Sequence, residues 1–177
     1  MRNSKKATGM IRIYLRNIFR FFTVILIQVL LLDNIQMGGY LSPYFYIIYI
    51  VLLPFETPKW LLLSLAFLLG LSVDLFNGTP GMHAAASVFM AYLRPFILNN
   101  FSTRDGYESG TFPRIHYYGI EWFTKYTLIL VLAHHFFLFF IEAFRFSDIF
   151  FTFGRILLNT ILTGILIILS QFFIYRK

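Results

Sequence analysis

Six runs of apolar residues divide this chain, and few polar residues separate them. A helix needs roughly 20 mostly apolar residues to cross about 30 Å of hydrocarbon. The runs at approximately 18–36, 40–55, 59–77, 81–98, 122–144 and 153–174 meet or approach that length. The second is short and bracketed by Pro43 and Pro54, so it reads either as a tilted span or as a re-entrant segment. Only 13% of residues are charged, against about 25% in an average soluble domain. The pattern predicts one all-α polytopic integral membrane domain over residues 1–177, with six transmembrane helices.

The basic residues set its orientation. With six spans, only Arg145 and Arg155 of the 15 lysines and arginines fall on one side. The rest cluster with the two termini, Lys59 and the 99–121 loop. The positive-inside rule puts that side, and both termini, in the cytoplasm. Trp60, Tyr92, Trp122, Tyr126 and Tyr175 fall near cytoplasmic helix ends, and Tyr40 and Tyr44 near the opposite face, as an interfacial belt would. Arg12, Arg16 and Arg20 recur every four residues up to the start of the first span. They read as an amphipathic lead-in on anionic lipid or as a solvated tail that fixes topology. No small-x-small cleavage site follows, so the segment is expected to be retained.

Chemistry has few places to reside. There is no cysteine, hence no disulfide framework and no thiolate metal site. No P-loop, G-x-S-x-G or H-E-x-x-H pattern occurs, which argues against an enzyme and calls for no cofactor. His134 and His135 are adjacent and so point to different helix faces; an interior His–Glu or His–Asp pair is expected there rather than a metal. No basic, aromatic-rich exposed domain offers itself to nucleic acid.

One carboxylate stands out, in GLSVDLFNGTPGMHAA at residues 70–85. Gly70, Asp74 and Gly78 share one helix face, where small residues admit a neighbouring helix and place the acid at the contact. Asp74 is then either a partner- or ligand-binding acid or a cap for the following helix. Thr79 is the expected N-cap and Pro80 the expected first-turn residue of that helix, and its free amides are expected to face Asp74. Gly81, His83 and the run Ala84 to Ser87 give a helix start that packs closely. In the last span Thr160, Thr163, Gly164 and Gln171 share a face and predict a helix–helix seam.

The stretch LGLSVDLFNGTPGMHAAASVFMAYLRP resembles the MreD family of the bacterial rod-shape system. That family carries a G-L-x-x-D-x-x-x-G-x-x-G-x-x-A/L pattern across its middle hairpin, matched by Gly70, Leu71, Asp74, Gly78, Gly81 and Ala84. The resemblance implies an architecture like the substrate-binding components of energy-coupling-factor transporters. It also implies a non-catalytic inner-membrane scaffold that binds an MreC-like partner, with RodA and a class B penicillin-binding protein beyond it. It assigns no catalytic residue, and self-association into a homo-oligomer is open. The rival expectation is a vitamin-binding transporter component, its pocket lined by Asp74, His83, His134 and Asn159.

Reporter fusions after residues 40, 57, 79, 110, 148 and 177 are expected to alternate, starting outside. A periplasmic signal at residue 110 would defeat this topology.

Overall fold

The computed structural model describes residues 2–35, 41–102, 106–108, 111–143 and 149–174, with the backbone alone for residues 2–14 and 174. Tyr40, Arg145 and Tyr175, used above, and the fusion site at residue 110 lie outside them. The elements are α1 (Arg2–Ile27), which runs into a π-helical turn (Gln28–Leu32), then a 3₁₀ turn (Phe45–Ile47) leading into α2 (Ile48–Val51). The hairpin α3 (Lys59–Asn77) and α4 (Met82–Asn100) follows, then α5 (Ile115–Ala143) and α6 (Ile149–Ile174). Consecutive long helices pack side by side, α3 on α4, α4 on α5 and α5 on α6.

Leu15–Leu32, Lys59–Asn77, Ile115–Ala143 and Ile149–Phe173 are each long and apolar enough to cross a membrane. Their outward faces are apolar, with Phe19, Leu75, Phe150 and Phe173 at 74–90% exposure. The interior holds Gln28, Asp74, His83, Arg94, His134, His135 and Asn159, all buried. Apolar outside and polar inside is the arrangement a lipid solvent selects. The chain is thus a multi-pass membrane protein by length and composition. In α4, about 28 Å long at 1.5 Å per residue, the inward-facing His83, Ser87 and Arg94 dilute the apolar composition.

The expected span 40–55 is not a continuous helix. Only residues 45–51 are helical. Pro43 offers no amide and biases Ser42 toward extended backbone, which delays helix entry. The segment still runs antiparallel to α1. Gln28 bonds near its start, at Pro43, while Arg20 reaches Leu52 near its end. From Tyr46 to Leu53 no residue is more than 3% exposed. The segment is sheathed by protein, the condition under which irregular backbone survives at membrane depth.

Direction follows from these contacts. Arg20 and Arg94 both meet the segment's end, and Arg16 stacks on Phe112 between α4 and α5, so α1 starts at the Arg94 end. Arg155 pairs with Glu142 while Gly164 meets Leu128, so α6 runs back toward that end. The described elements thus alternate in direction between the two ends, and four of them are long and apolar enough to cross a membrane. Lys59, Arg94, Arg114 and Lys125 lie at the end where it starts, and Arg155 at the other.

Two departures from expectation are local. α5 is interrupted at Gly119, whose φ of 80° and ψ of 166° detach 115–118 as a separate turn. Tyr126 and Tyr44 belong to the core rather than an interfacial belt, whereas Trp60 and Tyr92 are exposed.

The seams are internal. A Cβ on Gly70 would lie 2.5 Å from Ala84 Cα and 2.6 Å from Ala84 N, both backbone. A Cβ on Gly164 would lie 2.6 Å from Leu128 Cδ2, the mobile tip of a side chain. Gly70→Ala should therefore cost about 1–3 kcal/mol through overpacking, and Gly164→Ala clearly less because Leu128 can rotate. Thermal denaturation of both variants in detergent checks this. Equal losses would contradict the backbone contact at Gly70.

Candidate functional site: a polar interior below an outer cavity

At the hairpin, Asp74 works as a cap for the next helix. Its Oδ1 accepts from Thr79 Oγ1 at 2.5 Å and from His83 N at 3.0 Å. Its Oδ2 accepts from Ala84 N at 2.8 Å. The expectation that the amides of α4 face Asp74 is met; the expectation that Thr79 caps α4 is not. The N-cap position is Gly81, and Thr79 instead donates to the carboxylate. Gly78 and Gly81 turn the chain at φ 65° and 80°, a region costly for residues with a Cβ. With all of these bonds internal, Asp74 is 2% exposed.

Deeper in, polar side chains service the backbone of the broken segment. Ser42 N donates to Asn159 Oδ1 at 2.7 Å, Tyr44 N to Thr163 Oγ1 at 3.2 Å, and Tyr46 N to Gln28 Oε1 at 3.2 Å. Gln28 Nε2 donates in turn to Pro43 O at 3.0 Å. At the far end Tyr126 donates to Val51 O at 3.0 Å, and Arg94 Nη2 donates to Leu53 O. The stripe on α6 is therefore a support for this segment as well as a seam against α5.

The histidines gather on Tyr46. Its hydroxyl lies 3.1 Å from His83 Nδ1 and 2.7 Å from His134 Nε2. A hydroxyl has one proton, so it donates to one imidazole and accepts from the other. His135 Nδ1 contacts Val131 O at 2.7 Å, and its Nε2 lies 3.4 Å from Thr163 Oγ1. The expected His–carboxylate pair is absent among the described residues: Glu142 pairs with Arg155 at 3.0 Å. No group of three metal-ligating residues forms among the described residues.

Above this layer, at the end away from both termini, lies a cavity of about 390 Å³. Asp33, Tyr44, Thr79, His83, Glu142 and Arg155 contribute to its wall. The volume falls in the range of about 300–1,000 Å³ usual for small-molecule sites. Both signs of charge are present, which suits a small polar molecule. Of the four residues expected to line a vitamin pocket, His83 alone does so; Asp74, His134 and Asn159 are committed to internal hydrogen bonds. Sequence reasoning missed Asp33, Tyr44 and Arg155, which meet here only through tertiary packing.

The seven candidate contact residues fall into three places. Gly70, Asp74, Gly78, Gly81 and His83 form the hairpin. Gly164 packs on α5. Thr160 is buried on the seam side of α6.

Asp74→Asn should destabilise the protein by about 1–3 kcal/mol, because one amide N–H₂ must then face the backbone donors that the carboxylate satisfies. Asp74→Ala should cost at least as much. Melting in detergent beside wild type checks both, and an unchanged Asp74→Asn would remove the capping role. Comparison with protein-family models, characterised proteins and solved structures finds no match.

Proposed function

We propose that this chain is a non-catalytic scaffold of the MreD type in the bacterial inner membrane. In this reading all six passes cross the bilayer with both termini cytoplasmic. The protein binds an MreC-like partner, through which cytoplasmic filaments are coupled to peptidoglycan synthesis by RodA and a class B penicillin-binding protein.

One observation carries the reading. The residues matching the family pattern behave as a single structural device. Gly70 admits the backbone of Ala84, Asp74 caps Ala84 and His83, and Gly78 and Gly81 take left-handed turns. The pattern thus has a physical reason at each of these positions, which chance occurrence of glycines and one acid would not supply. It also relocates the partner surface. The small-residue faces at Gly70 and Gly164 are filled by the chain's own helices, so a partner helix seats on the lipid-facing exterior.

A second reading has its own observation. The 390 Å³ cavity, with Glu142 and Arg155 in its wall, supports a component that binds a small polar molecule for transport. One purification separates the two. Tagged protein taken from native membranes of a host that encodes an MreC-like protein should bring that protein down in stoichiometric amount. Recovery of a bound small molecule without it would replace the scaffold with the transporter component.

A further inference from the structure

A second cavity, of about 120 Å³, lies at the opposite end of the bundle, between the start of α3 and the end of α4. Lys59, Arg94, Thr57, Asn99 and Tyr107 are among its lining residues, and none of the described lining residues is acidic. Glu56, the nearest acid in sequence to Lys59, is exposed and outside the lining.

Three features give the cavity a positive potential. The first is Arg94, a guanidinium only 1% exposed. Its hydrogen bonds go to neutral groups, from Nε to Tyr126 Oη at 2.9 Å and from Nη2 to Leu53 O and to Pro54 O at 3.4 Å. Nη1 makes none of them, and among the described residues no carboxylate pairs with Arg94. A buried charge without a counter-ion is costly, and an anion beside it recovers that cost. The second is Lys59, exposed and likewise without an ion pair among the described residues. The third is the start of α3. Pro58 at its N-cap gives no side-chain hydrogen bond, and the first turn has no acid. Its leading amides and the positive end of its dipole therefore lie beside Lys59.

We propose that this cavity binds an anionic phosphate group, carried by a membrane lipid. The chemistry is that of a phosphate oxygen cluster meeting a guanidinium, an ammonium and helix-terminal amides. The volume holds a headgroup phosphate and is well below that of whole small-molecule sites. The surroundings suit a lipid. Trp60 on α3 and Tyr92 and Phe96 on α4 are all more than half exposed, and offer acyl chains an aromatic and apolar flank next to the charged opening. The proposal rests on neither functional reading above.

The test uses the full-length protein, delipidated in a neutral detergent. Short-chain phosphatidylglycerol, short-chain phosphatidylcholine and inorganic phosphate are titrated in, with binding read by native mass spectrometry and by the shift in melting temperature. Phosphatidylglycerol should bind saturably and more tightly than phosphatidylcholine. Lys59→Gln should weaken it about fivefold, the worth of one basic side chain near an anionic headgroup. Lys59 is exposed, so this variant should keep the wild-type melting temperature without lipid. Lys125→Gln, which removes an exposed lysine paired with Glu121, should bind like wild type. Retention of phosphatidylglycerol against excess inorganic phosphate assigns the lipid as the source. Displacement by inorganic phosphate assigns the site to free phosphate and overturns the lipid part. Equal affinity in wild type and Lys59→Gln, or no phosphatidylglycerol bound by wild type, overturns the site altogether.

Discussion

A stretch of backbone that is neither helix nor strand runs through the middle of this protein, and its hydrogen-bonding groups must find partners without water. Each unsatisfied amide or carbonyl in an apolar medium costs several kcal/mol. Six of the polar residues inside or lining the bundle follow from that one requirement. Gln28, Asn159 and Thr163 accept from the amides at one end of the segment, while Tyr126, Arg94 and Arg20 donate to the carbonyls at the other. The four helices that supply these groups, α1 with its π-helical turn, α4, α5 and α6, are thereby registered along the bundle axis by hydrogen bonds, which apolar packing in lipid would do only weakly.

The same economy governs the hairpin. A helix that begins inside or near the bilayer leaves amides without partners. Here the acceptor comes from the preceding helix, so capping α4 also locks it to α3. The close backbone approach at Gly70 and the carboxylate of Asp74 act one turn apart on the same face. Removing either would loosen both the start of α4 and the position of His83, and through His83 the Tyr46–His134 contact and the wall of the outer cavity.

Long apolar runs such as 59–77 and 153–174 were legible because length alone separates a span from a soluble core helix. The 40–55 run was not, since a short apolar stretch reads the same whether helical or irregular. Its two prolines were the available signal that helix would cover only part of it. Lys59, Arg94 and Lys125 share one end of the bundle and Arg155 the other, while four helices are long and apolar enough to cross a membrane. Asp74 was recognisable as a cap or a contact from spacing, but the choice needed the geometry of Ala84. Thr79 looked like an N-cap by residue type, and lost to a stronger acceptor that is distant by five residues. Tyr126 looked interfacial by position near a helix end, yet the carbonyl of Val51 draws it inward. Arg155 with Glu142, and Arg94 with Lys59, come from different helices, and no local pattern in one sequence brings such pairs together.

The hydrogen bond from Ser42 to Asn159 joins residues 117 positions apart, and that distance has a consequence for biogenesis. At about 5–20 residues per second, a ribosome takes roughly 6–23 s to make the intervening chain. Until α6 is made, the amides of Ser42 and Tyr44 lack the acceptors that the folded protein gives them. The hydrogen bonding of the broken segment is therefore completed only by the last helix to leave the ribosome.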